Sequence, residues 1–198
     1  MTRTKIALTL AFGALGTSLV APPAQARPYT IKAGEWVVTK LGPLKTKSTR
    51  NYAPTIRRAI AAFGHPSSRF TSHGGCIVKW KRLGLRIEFY NFGFTEGSVC
   101  NADIGRAQSF TIKRARRSWR WRTWNGLRVG MPERRIWDLH PRAEWVDDSR
   151  FHDQGYWLRW NYSPFGDGAK YPILSAHLRN GYSGRVKSFG GWIGSAGE

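Results

Sequence analysis

The feature that most constrains the fold is a strict alternation of apolar and polar residues, which occurs in two short runs separated by a turn. The apolar positions of the runs are Cys76, Val78 and Trp80, and then Leu85, Ile87 and Phe89. A period of two is that of a β-strand with one buried face. Because Leu83-Gly84 between the runs is a turn signal, the sequence predicts an antiparallel hairpin here.

Two helices are predicted, one before each group of strands. The first has apolar residues at i, i+3, i+4 and i+7, namely Ile56, Ala59, Ile60 and Phe63. Pro54 suits its first turn, and Gly64 and Pro66 end it. We expect it to pack on the first sheet through Ile56, Ile60 and Phe63. The second helix, 132–139, opens at Pro132 and closes before Pro141.

The strand patterns after the two helices have a similar order. They fall at 76–80, 85–89 and 109–112 in the first half, and at 156–160, 173–178 and 185–189 in the second. The predicted fold is therefore α+β, with two tandem αβββ repeats whose helices pack on one face of the sheets. The expected division is a signal peptide at 1–26, a first repeat at 27–112, and a second repeat at 113–198 with a loose C-terminal tail. Chance similarity between the halves is the alternative, since their identity is low.

A motif at the start of the second helix carries a family resemblance. Gly130-Met131-Pro132-Glu133-Arg134-Arg135-Ile136 resembles the helix opening of the beta-lactamase inhibitory proteins and of the related small outer-membrane assembly lipoproteins. The resemblance implies secreted tandem repeats whose sheets form a concave surface that grips an enzyme. The first half has Gly42-Pro43-Leu44 instead of Gly-Met, and the second half has no cysteine, whereas the inhibitory proteins carry a disulfide in each repeat.

The first 26 residues have the pattern of a secretory signal peptide. Arg3 and Lys5 precede an apolar stretch that runs from Ile6 to Val20, and Ala24 and Ala26 form a small-residue cleavage site before Arg27. A membrane anchor is the alternative, but the apolar stretch is shorter than the ~20 residues needed to span a bilayer. We expect a protein that is secreted, extracellular or envelope-associated, with no transmembrane span.

The chain has two cysteines, Cys76 and Cys100. In an exported protein an isolated pair predicts a disulfide. Because no CxxC motif or histidine cluster accompanies the pair, we expect no metal site, and no motif indicates a cofactor.

The formal net charge of +20 predicts an anionic partner or surface. The densest basic and aromatic segment joins the two halves, and no acidic residue occurs between Asp103 and Glu133. The candidate binding residues are Arg114, Arg116, Arg117, Trp119, Arg120, Trp121, Arg122 and Trp124. If the segment is extended, Trp119 and Trp121 share one face and Arg120 and Arg122 share the other. The alternative interpretation is that the tryptophans belong to the core and the arginines to a solvated face.

Signals for catalysis are few, because the chain has no HExxH, GxSxG or Walker motif. The acid–base candidates are His152 and Asp153, together with His177 on a predicted strand. His65 and His140 each precede a proline at a predicted helix end, where a cation favours the helix dipole, so we interpret them as caps.

Three functions remain after this reasoning. The first is a secreted, strongly basic, non-catalytic binding protein for an anionic macromolecule or an acidic protein surface, which includes an inhibitor-like role. The alternative is an extracellular hydrolase that acts on an anionic polymer through His152, Asp153 and His177. Nucleic acid is the third and least favoured partner, because the signal peptide sends the chain out of the cytoplasm. The oligomeric state is left open.

Overall fold

A computed structural model describes residues 27–46, 53–91, 97–148, 153–162, 168–179 and 184–194. The expected signal peptide at 1–26 lies outside the described residues, as do the last four residues of the loose tail expected at 190–198. The tail prediction is wrong for its first part, because a strand continues to Trp192 and Ile193 is fully buried. No helix among the described residues is long and apolar enough to cross a membrane.

The described part of the chain is mostly β, because strands account for 50% of it and it has only two short helices. The strands are β1 (Tyr29–Ala33), β2 (Val38–Leu41), β3 (Leu44–Lys45), β4 (Ser68–Ser72), β5 (Gly75–Trp80), β6 (Leu85–Tyr90), β7 (Arg106–Lys113), β8 (Trp121–Thr123), β9 (Glu144–Asp148), β10 (Asp153–Tyr162), β11 (Lys170–Arg179) and β12 (Arg185–Trp192). The helices are α1 (Ile56–Phe63) and α2 (Arg134–Leu139). The α+β prediction of two αβββ repeats with helices packed on the sheets is therefore wrong.

Eight strands form one antiparallel sheet in the order β4-β5-β6-β7-β12-β11-β10-β9. Each half of this sheet is a four-stranded meander, and the meanders join where β7 pairs with β12. The predicted hairpin is present as β5 and β6, with Val78 opposite Ile87. Sequence reasoning missed the edge strands β4 and β9, because neither has a clear run of alternating apolar residues.

The remaining strands form a second sheet in the order β3-β2-β1-β8. Here β8, from the segment that joins the predicted repeats, lies parallel to β1, with Thr30 opposite Arg122. A strand from beyond the predicted boundary thus completes a sheet that begins at the start of the described chain. Sequence reasoning missed this second sheet, since its pairing joins segments about ninety residues apart and no local pattern records it.

One apolar cluster links the two sheets and α1. Trp121 of β8 is fully buried in it, and its indole Nε1 donates a hydrogen bond to the carbonyl oxygen of Leu83, 2.9 Å away. Its ring packs edge-on against Tyr29, with centroids 4.9 Å apart, and contacts Phe63. Trp121 therefore connects the smaller sheet to the β5–β6 hairpin of the larger one.

Helix α1 begins and ends close to the predicted positions. The side chain of Thr55 caps it by accepting a hydrogen bond from the backbone N–H of Arg58, and Gly64 follows with a φ of 80°. Ile56 and Ala59 are buried in the common core, whereas Ile60 and Phe63 are half-buried. The helix lies next to β3, and Phe63 packs edge-on against Trp80 of β5, with ring centroids 5.4 Å apart, but the helix does not form a layer on the eight-stranded sheet.

The predicted disulfide between Cys76 and Cys100 is present, and it ties the loop after β6 to strand β5. The same loop is held against α1, because the guanidinium of Arg57 donates two hydrogen bonds of 2.6 Å to the carboxylate of Asp103. These hydrogen bonds lower the pKa of Asp103 and raise that of Arg57.

His140 is the C-cap residue of α2, as interpreted, but it is not a cation. The residue follows α2, but its side chain is buried, and its Nε2 lies 2.8 Å from the hydroxyl oxygen of Thr123. Burial disfavours the imidazolium and lowers the pKa of His140 from 6.5 to about 4. The imidazole is therefore neutral at physiological pH.

We expect the free energy of unfolding to fall as the pH drops from 6.5 to about 4, because the unfolded chain binds a proton at His140 that the folded chain does not. Neutral His140 contributes roughly 1–3 kcal/mol to the free energy of unfolding. This contribution is fully present above pH 6.5 and is lost as the pH falls to about 4. Urea unfolding at pH 7 and pH 4.5 measures it. His140→Gln removes the titrating group, so its stability should depend less on pH than that of the wild type. An unchanged pH dependence in this variant would contradict the assignment.

Candidate basic binding site

The Arg-Trp segment does not form one extended strand. A 3-10 turn, Ser118–Arg120, precedes β8, and the hydroxyl of Ser118 closes it by donating to the carbonyl oxygen of Ala115 and accepting from its N–H. Because of this turn, Trp119 and Trp121 do not share a face. Trp119 is 59% exposed, whereas Trp121 is fully buried.

The candidate tryptophans therefore have three different roles. Trp121 belongs to the core and cannot contact a partner, so its prediction as a binding residue is wrong. Trp124 is partly exposed and packs edge-on against the ring of His140, with centroids 4.8 Å apart. Only Trp119 presents most of its surface to solvent.

The arginines divide in a similar way. The guanidinium of Arg120 lies 4.0 Å from the ring centroid of Tyr29 and donates a hydrogen bond to the carbonyl oxygen of Arg27. Arg122 is half-buried within β8. The expected exposed face of Arg120 and Arg122 is thus not formed, and Arg120 instead contacts the first described residues. Arg114, Arg116 and Arg117 are exposed.

Backbone hydrogen bonds place these three exposed arginines beside a second basic turn. Lys81 and Arg82 lie in the 3-10 turn that connects β5 to β6, and both are exposed. The N–H of Arg117 donates to the carbonyl oxygen of Arg82, and the N–H of Lys113 donates to that of Gly84. We call the surface formed by Lys81, Arg82, Arg114, Arg116 and Arg117 the basic end of the eight-stranded sheet.

A groove adjoins the basic end where β12 begins. It has a volume of 490 Å³ and is lined by Arg114, Arg128 and Arg185, together with the 129–132 segment. This segment runs beside β12, because the N–H of Gly130 donates to the carbonyl oxygen of Val186 and the N–H of Val186 donates to that of Met131. The motif that carries the family resemblance thus forms one wall of the groove.

The charges of this end are not neutralised within the described part of the chain. The cations that form ion pairs among the described residues are Arg57, Arg86, Arg135 and Lys170. None of these four belongs to the basic end or to the groove. A partner that contacts the five side chains of the basic end therefore meets charge of one sign.

The structure does not test the acid–base role predicted for His152, Asp153 and His177. His152 lies outside the described residues. Asp153 begins β10, and His177 of β11 is half-buried opposite Gly155, with its Nε2 3.2 Å from the position that a Cβ at Gly190 would occupy. No group of three or more potential metal ligands occurs among the described residues.

Sequence reasoning missed two residues of the basic end, Lys81 and Arg82, and two residues of the groove, Arg128 and Arg185. Lys81 and Arg82 were visible only as part of a broad distribution of positive charge. In the sequence, Arg128 precedes α2 and Arg185 follows β11. Their proximity therefore depends on the pairing of the 130–133 segment with β12. The exposed cations of the Arg-Trp segment were the one available signal.

Comparisons with protein families, with curated proteins and with solved structures found no match to this chain. The resemblance to the beta-lactamase inhibitory proteins accordingly stays a prediction based on one motif and the order of elements.

Proposed function

We propose that this chain is an exported, non-catalytic binding protein that engages an anionic macromolecule or an acidic protein surface through its basic end. The observation that carries the proposal is the convergence of five cations, which hydrogen bonds between two turns hold together and which form no ion pair with a described acidic residue: Lys81, Arg82, Arg114, Arg116 and Arg117. Five cations on one surface attract an anion far more strongly than the same cations spread over the molecule, because their potentials add.

Trp119 extends this surface with an exposed aromatic ring next to Arg117 and Arg120. Tryptophan and arginine are the residue types that most often dominate binding energy at protein interfaces. An inhibitor-like role on an acidic protein is therefore included in the proposal. Export is supported by the signal-peptide pattern of residues 1–26 and by the disulfide, which is stable in an oxidising compartment.

The test is capture of a partner by the protein that begins at Arg27. We expect the immobilised protein to retain an anionic macromolecule from culture medium or cell-envelope extract at about 50 mM salt, and to release it as salt rises, because screening shortens the range of surface charges. An immobilised unrelated protein of similar isoelectric point is the control, and it should release the same partner at lower salt. Equal elution from both proteins, or a captured partner that is not anionic, would contradict the proposal.

A further inference from the structure

We propose that the groove between Arg114, Arg128 and Arg185 binds the phosphate monoester group of a small organic molecule. The inference rests on the proposed function in that it names a ligand class for one part of the same basic surface. It goes further because it assigns the three arginines that line the groove, two of which are absent from the Arg-Trp segment.

The arginines are available to a ligand. Arg185 donates from Nη1 to the carbonyl oxygen of Gly130 at 2.9 Å, which positions its guanidinium at the groove and uses one of its five N–H donors. Arg114 and Arg128 are exposed, and neither forms an ion pair or a side-chain hydrogen bond with another described residue. The nearest carboxylate in sequence, that of Glu133, accepts a hydrogen bond from the hydroxyl of Tyr156.

The number of arginines favours phosphate over a carboxylate. One guanidinium satisfies both oxygens of a carboxylate through a bidentate pair, so a single carboxylate leaves two cations of the groove unmatched. A phosphate monoester carries between one and two negative charges near neutral pH and has three terminal oxygens. It therefore offers each of the three arginines an acceptor.

The groove has space for more than an isolated ion. It is open to solvent, and its volume of 490 Å³ exceeds that of a phosphate group. Val129, Met131 and Pro132 supply an apolar wall for the body of such a ligand. Gly130 has a φ of +92° and no atom within 4 Å of the position where a Cβ would lie, so the space above it is open.

Three glucose derivatives that differ only at the sixth carbon test the assignment: glucose 6-phosphate, glucose 6-sulfate and glucuronate. Isothermal titration of the protein beginning at Arg27, at about 50 mM salt, should show the tightest binding for glucose 6-phosphate, with the other two about tenfold weaker. Equal affinities for all three, or no measurable binding of glucose 6-phosphate, would overturn the proposal.

A matched pair of double variants tests the location. Arg114→Gln with Arg128→Gln should weaken glucose 6-phosphate binding by about a hundredfold, roughly tenfold for each charge-assisted contact. Arg58→Gln with Arg142→Gln removes the same charge from exposed positions that belong neither to the groove nor to the basic end, and should change the affinity less than threefold. Equal losses in the two variants would reject the groove as the site, provided that circular dichroism shows both to be folded.

The outcomes separate this proposal from the proposed function. If the protein captures an anionic macromolecule but binds no glucose 6-phosphate, the groove assignment fails and the binding function stands. If it binds glucose 6-phosphate through Arg114 and Arg128 but captures no macromolecule, the proposed binding function fails and the groove assignment stands. Phosphatidylcholine vesicles that contain phosphatidic acid identify the source of the phosphate. If the protein binds these vesicles through Arg114 and Arg128, the phosphate belongs to a lipid headgroup. If it does not bind them, the phosphate belongs to a soluble molecule.

Discussion

Replacing Lys81, Arg82, Arg116 and Arg117 together by glutamine is expected to weaken binding of the captured anionic partner by about a thousandfold at low salt. Each cation near an anionic surface contributes on the order of 1 kcal/mol, and every 1.4 kcal/mol is about a tenfold change in affinity. The four side chains are exposed, so the fold should be retained. Dissociation constants measured at about 50 mM and about 300 mM salt should show a loss that shrinks as the salt concentration rises.

The matched control replaces four exposed cations elsewhere: Lys45, Arg58, Arg142 and Arg159. This variant has the same net charge as the first, so it should lose only the long-range part of the attraction, about tenfold or less. Similar losses in the two variants would mean that diffuse charge alone attracts the partner, and the basic end would not be the binding surface.

Replacing Trp121 by alanine is expected to lower the free energy of unfolding by about 3–5 kcal/mol, the usual cost of removing a fully buried large aromatic side chain. Trp121 fills the contact between the smaller sheet and the β5–β6 hairpin, and its loss also leaves the carbonyl oxygen of Leu83 without its donor. Urea unfolding followed by circular dichroism measures the change.

Trp119→Ala is the matched control, since it removes the same side chain two residues earlier, where the ring is mostly exposed. It should change the free energy of unfolding by less than about 1 kcal/mol. The same variant should weaken partner binding, whereas Trp121→Ala acts on binding only through the fold. A destabilisation as large as that of Trp121→Ala would contradict the exposed position of Trp119.

Much of the local structure was predictable from neighbouring residues. The alternation in Cys76–Trp80 and Leu85–Phe89 identified β5 and β6 because a strand with one buried face repeats every two residues. The four-residue spacing of Ile56 and Ile60 identified α1, and the isolated pair Cys76 and Cys100 identified the disulfide. Each of these signals arises from contacts within a short segment or from the chemistry of one residue type.

The fold class was mispredicted because two short helices were taken as layers equal to the sheets. A helix of eight residues and one of six provide little surface for packing, and most residues of the common apolar core lie on strands. The alternative interpretation of the tryptophans as core was correct for Trp121, and that of the arginines as solvated was correct for Arg114, Arg116 and Arg117.

The sequence by itself determined the hairpin of β5 and β6, the approximate position of α1, the disulfide and the concentration of positive charge before β8. The tertiary structure decided which of those charges face a partner. The backbone N–H of Arg117 donates a hydrogen bond to the carbonyl oxygen of Arg82, so the two turns lie side by side. Arg128 and Arg185 line the same groove because the 130–133 segment pairs with β12. The physical reason is that a strand's alternation reports which of its faces is buried but not which distant strand it pairs with. Pairings such as β1 with β8 and β7 with β12 form only when the whole core assembles.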